Sequence, residues 1–187
     1  MSAPGDRSTH SSSPAEDPSG SEPPERLTVM IVEEDGDWSG FGVQKETIQH
    51  AAAALGRHRG IQLTPGSEAS VVLGSDALVR RLNRTYRGKD VPTNVLSFPY
   101  RRPPGAPAEC GIYLGDVVLA AETVRREAAG SGIEPKHHLQ HLVVHGLLHL
   151  LGYDHQGDAA AEEMEGLEAQ ILAGIGVADP YAAAAAS

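Results

Sequence analysis

Apolar positions along this chain recur in two rhythms. Runs rich in β-branched residues, LTVMIVEE (27–34), EASVVLGS (68–75) and YLGDVVLA (113–120), predict three strands, and TNVLSFP (93–99) predicts a short extended segment. Between them the period lengthens. VQKETIQHAAAALGRH (43–58) predicts a helix with Gly56 near its end. DALVRRLNRTYR (76–87) predicts a second, with Ser75 suited to cap it and Leu78, Val79, Leu82 and Tyr86 along one face. AETVRREAA (121–129) predicts a third, leading to Gly130. PKHHLQHLVVHGLLHLL (135–151) is apolar on most sides and predicts a long, centrally placed helix, and AAEEMEGLEAQILAG (159–174) predicts a final amphipathic one. Strands and helices mixed in this order predict an α+β or α/β domain around a small sheet.

The two ends lack either rhythm. Residues 1–25 are nearly all Ser, Pro, Gly and acid, too polar to offset the entropy of ordering, so a disordered extension is expected there. A single domain with its own core is expected over 26–181, and a frayed alanine-rich tail over 182–187.

Composition narrows the function classes. A net charge of −10 disfavours a general, non-specific grip on nucleic acid. The one cysteine, Cys110, cannot form an internal disulfide, which fits a reducing compartment. No stretch is apolar for long enough to span a membrane, and the N-terminus has no secretory pattern, so a cytoplasmic location is expected. The net charge hides a local reversal. Arg80, Arg81, Arg84, Arg87, Lys89, Arg101 and Arg102 face one acid, Asp90, and Tyr86, Phe98 and Tyr100 lie among them. Cations for phosphates and rings for bases suit a single-stranded nucleic acid, although a charge run alone is more often a solvated helix face. From Asp154 to Asp179 the balance is reversed, with acids and no base.

The candidate chemistry lies in HGLLHLLGYDH, 145–155. His145 and His149 are four apart, so they project from one face of a helix. His155 could not join them on a continuing helix, because six residues at 100° each carry it about 240° around the axis. Gly152 is placed to end the helix in the left-handed conformation and turn the chain back. Two imidazoles from a rigid helix and one from the returning loop leave a tetrahedral Zn²⁺ with one open position, the mark of a catalytic site. Core histidines satisfied by backbone carbonyls are the bland alternative, which three histidines and a turning glycine together disfavour. His138 and His141 share the face of His145 but fit no ligand arrangement that the break allows, and are expected to be structural or to support the ligands from behind. In zinc peptidases of related pattern a glutamate general base follows the first histidine; Gly146 stands there instead, so peptide hydrolysis lacks its proton carrier. Phosphodiester cleavage needs less: a metal, and a cation to hold the phosphate.

HGLLHLLGYDH and YRGKDVPTNVLSFP (86–99), with LGDVVLA and AEEMEGLEAQIL in the same order, resemble the YbeY endoribonucleases, which mature ribosomal RNA. The likeness extends over about residues 27–181 and leaves out the N-terminal extension and the tail. It implies an α+β fold with a small mixed sheet packed with helices, a central metal-bearing helix and a metzincin-like metal motif. It implies one zinc per chain on His145, His149 and His155, and a catalytic Arg87 engaging the RNA phosphate. The implied activity is a zinc-dependent, single-strand-specific endoribonuclease acting in 16S rRNA 3′-end maturation and ribosome quality control, with the small ribosomal subunit and ribosome-associated proteins as partners. Asp154, the carboxylate nearest the ligands in sequence, is a second catalytic candidate that orients a histidine or moves a proton; as a turn residue it would bond its own backbone instead. The competing reading from another class is a non-enzymatic ribosome-assembly factor whose zinc is structural, which a fourth protein ligand would betray.

Overall fold

The computed structural model describes residues 26–101, 103 and 112–182. The expectations for 1–25 and for most of the alanine tail, and those for Arg102 and Cys110, lie outside the described residues.

The described chain is an α+β fold of four strands and five helices. In order these are β1 (Leu27–Glu33), α1 (Gln44–Arg57), β2 (Ser67–Gly74), α2 (Asp76–Arg87), β3 (Val95–Pro99), β4 (Tyr113–Ala120), α3 (Ala121–Ser131), α4 (Pro135–Leu150) and α5 (Asp158–Ala173). The expected elements are all present, with ends displaced by a residue or two. Helix α3 runs past Gly130 to Ser131 and is capped by Gly132, whose φ is +64°. Ser75 caps α2 as expected, its Oγ accepting from Leu78 N at 3.2 Å.

The sheet is small and mixed, in the order β1-β2-β4-β3. β1, β2 and β4 are parallel, and β3 is antiparallel to β4. The interior position of β4 explains its unbroken apolar run VVLA: both faces are covered. Val117 and Leu119 join the larger core, with α1, α3, α4 and α5. Val118 and Ala120 point the other way, into a second cluster with Val79 of α2 and Leu96 of β3.

Helix α4 packs on α1, α3, α5, β3 and β4. Leu139, Val143, Val144, Leu147 and Leu148 are fully buried, so burial rather than amphipathic periodicity holds this helix. Its approach to β4 is set by Gly146. A Cβ there would lie 2.5 Å from Val117 Cγ1, well inside van der Waals contact. Ser97 Oγ of β3 donates to the Gly146 carbonyl at 3.0 Å, tying the helix to the sheet at the same point. Gly146→Ala is therefore expected to lower stability. Alanine gains about 1 kcal/mol of helix propensity, whereas overpacking against a buried β-branched neighbour costs about 1–3 kcal/mol. Urea denaturation should show a net loss of about 1 kcal/mol.

Candidate metal centre

The last turn of α4 ends in a Schellman motif. Tyr153 N donates to Leu148 O and Gly152 N to His149 O, each at 3.1 Å, and Gly152 takes φ +93°. The turn sends the chain back over the end of the helix. His145, His149 and His155 thereby converge, each offering a ring nitrogen within 4.8 Å of the others. The spacing argument is thus realised in space, with two half-buried histidines from the helix and an exposed one from the return.

Each helix-borne ring is oriented by its second nitrogen. His145 Nδ1 donates to Glu168 Oε1 of α5 at 2.7 Å. His149 Nδ1 donates to the Tyr153 carbonyl at 3.0 Å, a bond that the Gly152 turn makes available. Burial first, and then the neighbouring His145, push the His149 imidazole below its ordinary value, which favours the neutral, metal-binding form.

The two Nε2 atoms face each other at 3.1 Å. With both Nδ1 atoms acting as donors, two neutral rings would oppose lone pair to lone pair. Such a pair needs a cation, or an added proton, between them. Two nitrogens each ~2.0–2.1 Å from a tetrahedral zinc are ~3.3 Å apart, so the donor set fits a metal ion closely. Among the described residues no fourth protein donor joins this trio.

Glu168 escaped the sequence reading. It is fully buried, yet burial, which alone would raise its carboxyl, is outweighed by the His141 and His145 rings and the Tyr181 hydroxyl, which hold it at about 2. Its Oε2 accepts from Tyr181 Oη and lies 3.4 Å from His141 Nε2, off the line of a hydrogen bond. The signal was present in the register. Glu168 lies four residues after Met164 and four before Leu172, on the buried stripe of its helix, where a carboxylate requires a partner. His138 Nε2 bonds Glu127 Oε2 at 2.9 Å, and the same oxygen accepts from Asn94 Nδ2 at 3.0 Å, whereas His141 falls with His145 and Glu168 in a second group whose donor atoms lie within 4.8 Å of one another.

A cleft of about 560 Å³ opens beside the histidines, lined by Arg87, Ser97, Pro99, His149, Gly152, Tyr153, Asp154, His155 and Gln156. Arg87 and Asp154 thus share a cavity with two of the three histidines. Arg87 is the final residue of α2, ahead of the left-handed Gly88. Asp154 Oδ1 accepts from His155 N at 2.8 Å, the bond of a turn residue. The polar stretch 93–97 divides. Ser97 reaches the cleft wall, whereas Asn94 Oδ1 caps Val95 N at 2.7 Å and its amide holds Glu127.

The basic segment is only partly free. Asp90 takes Arg80 in a two-bond fork, at 2.9 and 2.8 Å, with Arg84 at 3.9 Å. For Arg80 the solvated-face reading therefore holds. Tyr86, two-thirds exposed, meets Phe98 edge to face at 5.1 Å next to Arg87. No helix among the described residues is long and apolar enough to cross a membrane.

Comparison with known proteins gives this geometry a family. Residues 39–176 match the family model described as Endoribonuclease YbeY. A protein of that name from Azorhizobium caulinodans is 50% identical over 154 residues, covering 82% of this chain and 94% of its own. Its namesake from Rhodospirillum rubrum is 51% identical over 167 residues, covering 85% and 82% respectively. The one from Parvibaculum lavamentivorans is 47% identical over 164 residues, covering 84% and 86%. The convergence of the histidines of HGLLHLLGYDH on one point, with Arg87 of YRGKD at the same cleft, agrees with a family match over most of the chain: this protein belongs to the YbeY endoribonuclease family.

Proposed function

We propose that this chain is a zinc-dependent endoribonuclease that cuts single-stranded RNA, with the 3′ end of the small-subunit rRNA as its processing target. Ribosome quality control follows as the wider role, in the cytoplasm and beside ribosome-associated proteins. The observation that carries the metal reading is the pair of opposed Nε2 atoms of His145 and His149, whose other nitrogens are already committed as donors.

In this reading α4 is the central metal-bearing helix, its H-x-x-x-H-x-x-G-x-x-H motif is metzincin-like, and His145, His149 and His155 hold one zinc. When bound, zinc supplies Lewis acidity for a water or a phosphate oxygen. Arg87, across the cleft, is suited to grip two phosphate oxygens at once through its planar fork. Asp154 Oδ1 positions the backbone of His155, and its second oxygen, which bonds no described residue, is available to take a proton. Tyr86, on the rim, offers a face for stacking an unpaired base. The lack of a fourth protein donor among the described residues supports an open, catalytic site over a structural one.

The absence of a peptidase base also has a packing reason. Position 146 faces Val117 in the interior and not the cleft, so a glutamate there would be buried against the sheet.

The test is cleavage of a labelled single-stranded rRNA fragment by zinc-loaded, chelated and reloaded protein, beside the same fragment annealed to its complement. Cutting is expected only of the single strand, lost on chelation and restored by zinc. Equal cutting by the chelated, metal-free protein would reject the reading.

A further inference from the structure

The buried carboxylate of α5 has no part in the activity as so far described, yet it is the group that fixes a ligand. We propose that Glu168 is a positioning residue for the metal: it holds His145 in the tautomer protonated at Nδ1, and Tyr181 locks the carboxylate in that orientation.

Four observations carry this. Glu168 is fully buried in a helix other than the one bearing the ligands. Its Oε1 lies 2.7 Å from His145 Nδ1, the nitrogen turned away from His149. Its Oε2 is held by the Tyr181 hydroxyl, which stops the carboxylate from rotating. His141 Nε2, 3.4 Å from the same oxygen, makes no aligned bond, so the carboxylate's order comes from Tyr181 and His145. A neutral imidazole bears one proton. Accepting it at Nδ1 leaves the Nε2 lone pair free and aimed at the ion, and strengthens that nitrogen as a donor. His149 receives the same service from a backbone carbonyl, which exerts no full charge. The two ligands are thus oriented by different devices, and only that of His145 can be removed by substitution. Tyr181 lies beyond the 39–176 stretch that matches the family model, so the lock reaches the site from the C-terminal end of the chain.

This inference rests on the zinc reading and is tested separately from it. Zinc affinity would be measured on the full-length chain by competition with a chromophoric chelator. The variants are Glu168→Gln, Glu168→Leu, Tyr181→Phe and His149→Ala, with circular dichroism melts to establish folding. Removing a carboxylate that orients a ligand histidine typically weakens metal binding ~10–100-fold. Glu168→Leu is expected near the top of that range. Glu168→Gln, which keeps an acceptor oxygen but not the charge, is expected near the bottom, and Tyr181→Phe should be milder still. Long-range ¹H–¹⁵N spectra of the zinc-loaded protein should show His145 protonated at Nδ1 in the wild type, and in Glu168→Gln if it folds. Should Glu168→Leu fail to fold, Glu168→Gln and the spectrum decide. Affinity within twofold of wild type in the folded Glu168 variants, or a His145 ring protonated at Nε2, would overturn the proposal. So would two zinc ions per chain falling to one in His141→Ala, since Glu168 would then itself be a ligand. If His149→Ala also bound zinc like the wild type, the zinc reading would fail as well. With His149→Ala impaired and the Glu168 variants unaffected, that reading stands and only this inference falls.

Discussion

His149→Ala is expected to abolish zinc binding at micromolar metal and to reduce RNA cleavage to background. Removing this imidazole leaves a two-histidine site, with one ligand on a rigid helix and the other on the exposed return. It also removes the bond from Nδ1 to the Tyr153 carbonyl, 3.0 Å long, which ties that return to the helix end. The loss is therefore larger than that of one ligand, because the geometry delivering His155 slackens at the same time. His155→Ala removes a ligand and leaves the turn intact, so it should retain more metal than His149→Ala. Metal analysis after gel filtration, with cleavage of a single-stranded fragment in parallel, provides the check. Full zinc content in His149→Ala would remove the ligand assignment.

Arg87→Ala is expected to lower the maximal cleavage rate about 100-fold, comparable with losing one transition-state donor. Arg87 ends α2 at the cleft that His149 and His155 also line, and bonds no described residue. Among the described residues its guanidinium has no partner, and on the proposed reading it grips a phosphate. Arg80 has the opposite environment, held in a two-bond fork by Asp90. Arg80→Ala should accordingly change neither rate nor salt dependence appreciably. Arg81→Ala should instead raise the RNA concentration required and flatten its salt dependence, as the loss of a screened, long-range attraction does. Arg87→Lys keeps the charge and loses the planar fork, so it should recover only part of the rate. Saturation kinetics separate these cases. Wild-type maximal rates in both Arg87 variants would move that residue to the binding set.

What could be read from the sequence was what local geometry encodes. His145 and His149 share a face because a helix repeats every 3.6 residues, and Gly152 marks the turn because glycine takes a positive φ readily. Neither needs knowledge of the tertiary fold. The strand order and the antiparallel β3 were not legible from periodicity, which reports burial but not neighbours. Gly146 could be seen as the missing glutamate, but its packing on Val117 depends on a contact across 29 positions. Glu168 was concealed among Glu162, Glu163 and Glu165, a set that looks like a solvated face. Only its register with Met164 and Leu172 set it apart, and its partner lies on another helix. The basic segment shows the same limit: Asp90 seems outnumbered in a tally, yet it engages Arg80 and Arg84 in space.

The packing of α4 against five other elements separates two events that coincide in small zinc domains, where the ion itself folds the chain. Here Leu139, Val143, Leu147 and Leu148 are sealed by protein whether or not an ion arrives. Two of the three imidazoles, His145 and His149, therefore stand on a helix that is packed beforehand, and the third comes from the return that the Gly152 turn directs. On the reading proposed above, zinc is a reversible tenant of a standing scaffold. Its free concentration would then set the fraction of chains competent to cut RNA without altering how many are folded, so scarcity would leave a reserve of intact, silent protein that replenishment switches on without new synthesis.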